Sequence, residues 1–350
     1  MGTERLSNPF GGWEDRAGWR VRDVFGRLPV RLDTLTSLEA DSSLAGHRPD
    51  RVRRHRGVTM PMPEGLPIID TMIGFPVASF DATYAFIRRQ TKDVESKEGM
   101  RFPAEYMFKD VPEGQGGDED PVASTLAQMD RFGVAKGVIG TRHDGVSDRA
   151  LRDHPDRFIG RSHVDPNDGM DAIRQIVADF EEFGVRSASV FPAGTFPQVP
   201  INDKKMYPIY AKCVELGISV WVNAGIPGPR LRGLCQHVEL IDEVMFDFPE
   251  LTFVTMHGCE PWVELAVKLM LKWPGLHYAT SAFAPKNYPK AVVDYANTRG
   301  ADKVIYAGYY PMGLSLERIM KELPDVPFRD HVWEKFLGQN AARVLGVDIP

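Results

Sequence analysis

Residues 158–191 read FIGRSHVDPNDGMDAIRQIVADFEEFGVRSASVF. Phe158–His163 and Ser187–Phe191 are short apolar runs of the kind a parallel sheet buries on both faces. Between them, Met170–Phe183 places apolar residues at helical spacing and stops at a glycine. This is a strand–helix–strand unit, and the alternation continues in both directions. Further strands are expected at Leu66–Ile69, Lys136–Gly140, Ser219–Asn223, Thr252–His257, Leu276–Thr280 and Lys303–Ala307. Helices are expected at Pro121–Phe132, Met206–Leu216, Leu234–Phe248 and Trp262–Lys272. Eight consecutive parallel strands favour a closed (β/α)8 barrel over an open doubly wound sheet, and no G-x-G-x-x-G follows the first strand. The predicted fold is α/β, a TIM barrel.

Three segments lie outside the plain barrel. Residues 1–64 carry little apolar periodicity and include a cationic run, Arg48, Arg51, Arg53, Arg54 and Arg56, broken by Asp50. They are read as an N-terminal arm, leaving residues 65–350 for the barrel. Residues 77–120 form an insertion after strand 1, with a helical segment Phe80–Gln90, then MRFPAEYMFKD and the Gly-rich EGQGGDEDP. A loop of this length is more often functional than idle, and it is expected to cover the barrel mouth as a lid. The C-terminal helix, His331–Leu345, presents Val332, Phe336, Leu337, Ala341, Val344 and Leu345 at a spacing that packs one face against the barrel.

Composition narrows the partners. With 43% hydrophobic and 26% charged residues, the 350-residue chain is globular. Forty-eight acidic against 42 basic side chains, a net charge of −6, remove the basic field nucleic-acid binding needs. A small-molecule substrate is the expected partner. Cys213, Cys235 and Cys259 form no C-x-x-C pair, so neither a disulfide framework nor a structural zinc site is expected, and a cytoplasmic location follows. The start of the chain lacks an apolar signal-peptide core, and no stretch approaches 18 uninterrupted apolar residues, so no membrane contact is expected.

Barrel enzymes work at the C-terminal ends of their strands. Those ends carry Asp70, Met72 and Gly74; Arg142 and His143; Arg161, His163 and Asp165; Pro192; Asn223; His257, Cys259 and Glu260; Ser281; and Tyr309 with Tyr310. The set supplies a general base in His257 or His163, an acid in Glu260, donors in Asn223, Tyr309 and Ser281, and a cation in Arg142. Arg161 and His163 share one strand face and together suit a carboxylate or a phosphate. Each residue also has a plainer reading. His257 would merely hydrogen-bond in the mouth, Asn223 would fill space, Tyr309 would plug a cavity, and Arg142 and His143 would be solvent-exposed loop residues. Cys259 reads better as a small buried thiol than as a nucleophile.

Several of these strand ends also carry a resemblance. Ile68-Ile69-Asp70-Thr71 with Phe75-Pro76, Asp165-Pro166, His257-Gly258 with Pro261-Trp262, Tyr310-Pro311 and the closing Asn340-Ala341-Ala342-Arg343-Val344-Leu345-Gly346 appear in order. Over residues 66–347 the chain resembles the amidohydrolase-related family, the branch that includes aminocarboxymuconate semialdehyde decarboxylase. The resemblance implies a (β/α)8 barrel acting by hydrolysis or C–C cleavage, with a divalent metal held by an opening Asp-x-His-x-His pattern. Here Met72 and Gly74 stand at the two imidazole positions. The family's strand-5 His falls on Asn223, its strand-4 Lys on Ser189 and its strand-8 Asp on Tyr309, leaving His257.

One imidazole does not hold a catalytic ion, so no metal cofactor is expected. Three readings stand. The first is an enzyme without the family metal, acting on a small carboxylate, thioester or ring-cleavage intermediate of aromatic or steroid-like catabolism. The second is a non-catalytic subunit pairing with a metal-bearing paralogue, against the homo-oligomer expected of an enzyme. The third is a zinc, manganese or iron enzyme with a site re-formed from Asp70, His163, His257 and Glu260.

Overall fold

A computed structural model describes residues 62–77, 80–100, 102–108, 120–141 and 143–349. The predicted N-terminal arm, its arginine run and Arg142 therefore fall almost wholly or entirely outside the described residues. Eight strands follow the expected order: β1 (Ile68–Asp70), β2 (Val134–Thr141), β3 (Phe158–His163), β4 (Ser187–Val190), β5 (Ser219–Asn223), β6 (Phe253–Met256), β7 (Leu276–Ala279) and β8 (Val304–Ile305). Each is parallel to the next in one sheet. The sheet closes where Thr71 N donates to Tyr306 O at 3.4 Å and Gly74 N to Tyr310 O at 2.8 Å, with Ile73 bridging to Tyr310. The fold is a (β/α)8 barrel.

Alternation along the strands sorts two cores. Ile69, Val138, Ile159, Trp221, Val254, Ala279 and Ile305 turn inward and fill the barrel. The opposite faces pack under the helices, β4 for instance through Ala188 and Val190. The described helices are α1 (Phe80–Arg88), α2 (Pro121–Arg131), α3 (Val146–Asp153), α4 (Met170–Phe183), α5 (Tyr207–Leu216), α6 (Leu240–Asp247), α7 (Val263–Lys272), α8 (Lys290–Ala296), α9 (Leu316–Glu322), α10 (Asp330–Glu334) and α11 (Asn340–Leu345). The Asp120 carboxylate caps α2 by accepting from Val122 N, with Pro121 in the first turn, where its missing N–H leaves nothing unpaired.

Two expectations need correction. Leu234–Phe248 is not one helix: a 3-10 turn at Leu234–Gln236 precedes α6. Gln236 is the reason, since its amide is buried and bound across neighbouring loops, donating to Gly225 O at 3.0 Å and accepting from Ala193 N at 3.1 Å. Helices α3, α8 and α9 were not expected. At 8, 7 and 7 residues they are two turns long, too short for apolar periodicity to stand out.

The C-terminal helix is interrupted by a π turn at Lys335–Gln339 between α10 and α11. Beyond it, Ala341, Ala342, Val344 and Leu345 join the interior cluster and plug the N-terminal end of the barrel. Gly338 permits this approach, because a β-carbon there would stand 2.7 Å from the Pro67 carbonyl. Asn340, fully buried, donates to Ala301 O at 2.7 Å and Val304 O at 2.8 Å, tying the plug to β8. Asn340→Ala orphans both carbonyls and is expected to destabilise the protein by about 1–3 kcal/mol, read as a lower urea midpoint at unchanged slope.

Candidate active site

With its lower end plugged, the barrel is open to chemistry only where the strands end. His257 follows β6 in left-handed backbone, φ 64, and Gly258 at φ 90 and Cys259 at φ 59 continue the turn. Gly258 also has no room for a side chain, since a β-carbon would lie 2.2 Å from the Phe283 ring. Left-handed non-glycine residues are uncommon and persist only where surrounding contacts hold them. Here the hold is Ser281, whose Oγ accepts from His257 N at 3.1 Å and lies 3.3 Å from Nδ1. If Nδ1–H donates to Ser281, Nε2 carries the lone pair that a base requires.

Burial first, then the positive charge of Arg161, lowers the His257 pKa to about 4, so the ring is neutral at pH 7. Tyr309 packs edge-on against it, ring centroids 5.5 Å apart. Burial pushes the Tyr309 phenol up to about 12, so it is a proton donor and not a phenolate. Asn223 closes β5 and is 8% exposed. Ser189 and His163 meet nearby, Oγ to Nδ1 at 3.3 Å, with the His163 side toward solvent.

The insertion reaches this group through stacked aromatic side chains. Phe108 stacks on Tyr309 at 5.7 Å and lies 5.7 Å from Phe102, which in turn packs against Phe80 and Tyr84 at 6.0 and 6.1 Å. Its other attachments are polar. Tyr106 Oη donates to Gly228 O at 2.7 Å, Gln90 Nε2 to Gly194 O at 2.7 Å, and Arg230 pairs with Asp93 and Glu95 at 2.7 Å. The described part of residues 77–120 therefore lies against loops following β4, β5 and β8.

The remaining expected site residues lie apart from His257. The Glu260 side chain is exposed on the rim. His143 sits outside the wall, Nε2 3.2 Å from Oδ1 of the buried Asp179 on α4. Tyr310 turns to Ser124 and Thr125 of α2. Cys259 is a buried free thiol whose pKa burial raises to about 12, which suits packing and not nucleophilic attack.

The donors do not fit a divalent ion. Met72 packs against the barrel interior, and Gly74 spends its N–H on the β1–β8 seam. Asp70 is wholly buried, accepts from Met72 N at 2.9 Å and Gly308 N at 2.8 Å, and faces Tyr306, whose side chain belongs to the outer core. Among the described residues, no three His, Cys, Asp or Glu side chains converge.

The family model for amidohydrolases matches residues 69–347. The chain belongs to the amidohydrolase family. No curated protein matches it by sequence. Solved structures with the same fold include an uncharacterized TIM-barrel protein from Bordetella bronchiseptica, 23% identical, TM-score 0.62, covering 80% of this chain and 99% of that one. Another is 5-carboxyvanillate decarboxylase from Novosphingobium aromaticivorans, complexed with manganese and 4-hydroxy-3-methoxy-5-nitrobenzoic acid, 16% identical, TM-score 0.59, covering 83% and 99%. A third is 2,6-dihydroxybenzoate decarboxylase from Rhizobium, 13% identical, TM-score 0.53, covering 80% and 99%. Against that family, the phenylalanines of the insertion and the inward Trp221 are site features that strand-end reading did not single out. The available signals were MRFPAEYMF inside a long loop and a tryptophan between inward Ser219 and Asn223.

A His with a folded pKa near 4 binds fewer protons than the unfolded chain between pH 4 and 6.5, so its contribution to stability is full above 6.5 and lost as pH falls toward 4. Asp70, raised to about 6, acts oppositely, its contribution falling as pH rises through 4 to 6. Comparison with His257→Gln isolates the imidazole. Urea unfolding at pH 7 and 4.5 is expected to show a smaller pH-dependent loss in the variant, by on the order of 2 kcal/mol. Equal losses in both proteins would show that His257 titrates normally.

Proposed function

We propose that this amidohydrolase-family protein is a hydrolase or lyase that works without the family's usual divalent metal. Its substrate is a small carboxylate, thioester or ring-cleavage intermediate of aromatic or steroid-like catabolism. The observation that carries the reading is a neutral His257, fixed by Ser281 and Tyr309 beneath an aromatic cover at the C-terminal end of the barrel. Left-handed non-glycine backbone gathers at functional sites, and His257 adopts it at a strand end. The substrate class is supported by family membership and by the aromatic acids named for two of the solved structures.

In hydrolysis, His257 Nε2 accepts a proton from water as the oxygen adds to the substrate carbonyl. The charge gathering on the carbonyl oxygen is met by the Asn223 amide and the Tyr309 phenol, both neutral donors. Collapse returns the proton from His257 to the leaving group. For hydrolytic C–C cleavage the proton that Nε2 has taken from the attacking water is delivered to the carbon that is released. The aromatic cover removes water and strengthens both donors.

Turnover of aromatic-acid thioesters and carboxylates is expected from the purified protein. It should survive dialysis against a chelator, fall at least a thousandfold in His257→Gln, and fall by roughly 10–100-fold in Tyr309→Phe. Loss on chelation with recovery on manganese would overturn the metal-free reading. The alternative, a non-catalytic subunit paired with a paralogue, is favoured by Met72 and Gly74 at the ligand positions; absence of turnover until a metal-bearing partner is added would establish it.

A further inference from the structure

Arg161 projects from β3 into the barrel, 5% exposed. Its Nε donates to Ser187 Oγ of β4 at 3.1 Å. Nη1 reaches only the thioether of Met256 at 3.6 Å, a weak acceptor, and Nη2 is buried with no hydrogen-bond partner. The guanidinium lies over Trp221, its carbon 4.0 Å from the ring centroid, and Trp221 is itself anchored through Nε1 to Ser219 Oγ at 2.9 Å. Among the described residues no carboxylate pairs with it. Burial brings its pKa down to about 9, so it stays cationic at neutral pH.

This is a costly arrangement for a structural residue. An internal guanidinium is normally paired with an acid, because an uncompensated buried charge loses its hydration with nothing in return. The tryptophan face returns only part of that. A guanidinium over an indole keeps its N–H edge in its own plane, clear of the ring face, and that edge meets a carboxylate with two parallel hydrogen bonds. The flanking groups are an indole, a thioether and serine hydroxyls, too few donors for a tetrahedral dianion but enough for a planar monoanion.

We propose that Arg161 is the receptor for the substrate's carboxylate, taking a small, flat monocarboxylate edge-on between Trp221 and Met256 and holding the rest of the molecule toward His257. The proposal rests on the reading of this throat as a substrate site and supplies what that reading lacks, the group the substrate must carry.

Equilibrium binding tests it without requiring turnover. Benzoate, 2-hydroxybenzoate and crotonate are titrated into the full chain, followed by tryptophan fluorescence and by the unfolding temperature, with inorganic phosphate in parallel. At least one carboxylate is expected to bind saturably to the wild type and to His257→Gln, more tightly than phosphate. In Arg161→Gln its affinity is expected to fall by about tenfold or more. Should Arg161→Gln fail to fold, Arg161→Lys keeps the charge and loses the two-pronged edge, and the same carboxylate is expected to bind at least fivefold more weakly. Wild-type affinity in either Arg161 variant, phosphate binding as tightly as the best carboxylate, or no carboxylate binding at all overturns the proposal. Carboxylate binding that depends on Arg161 in a protein without turnover would instead sink the catalytic reading and leave the receptor standing.

Discussion

The seam between β1 and β8 is the interaction on which the rest of the structure depends. Thr71 and Gly74 donate across it to Tyr306 and Tyr310, turning eight parallel strands from an open sheet into a ring. A ring has an inside, and alternation then fixes which residues fill it and which lie under the helices. Ile69, Val138, Ile159, Val254 and Ile305 occupy the interior while α11 occupies the lower end. Every later feature of the site is a consequence, since side chains that close the strands have only one end of the ring to occupy. Gly74, where the resemblance expects a second imidazole, donates its N–H across the seam and so brings two backbones together.

The electrostatics of the throat follow from burial around one guanidinium. Burial holds the imidazole neutral and moves the phenol further from ionisation, and the fixed positive charge is a guanidinium. Neutral donors and a neutral base suit chemistry in which charge appears on the substrate during reaction and is absent beforehand. The guanidinium depresses the imidazole's basicity from a distance. An anion docked against the first would therefore relieve the second, so that binding and activation of the base share one electrostatic origin.

Much of this was legible in the sequence, and the reasons differ by feature. The strands were readable where interior and helix-facing positions are both apolar, as in the uninterrupted run Val220–Val222 of β5, within its expected bounds. The first two positions expected for metal ligands were readable because the motif of the resemblance places them by local spacing. Short helices were hidden: α9, LERIMKE, has too few turns to repeat a pattern. Long-range pairs were hidden for a deeper reason. Nothing in His143 announces a buried Asp179 on another element, and nothing in Glu260 says that its side chain turns to solvent when its neighbour His257 does not. Nothing near Tyr309 in the sequence announces the Phe108 ring stacked on it from two hundred residues upstream.

That ring has a kinetic meaning. Phe108 rests directly on Tyr309, and Tyr309 rests on His257, so the cover and the groups proposed to react share a single stack with no intervening shell. Anything that admits a molecule by displacing Phe108 must also strip Tyr309 of one of its two aromatic neighbours, freeing the phenol to turn while the route is open. On the proposed mechanism, a route past Phe108 and an assembled pair of Tyr309 and His257 therefore exclude one another.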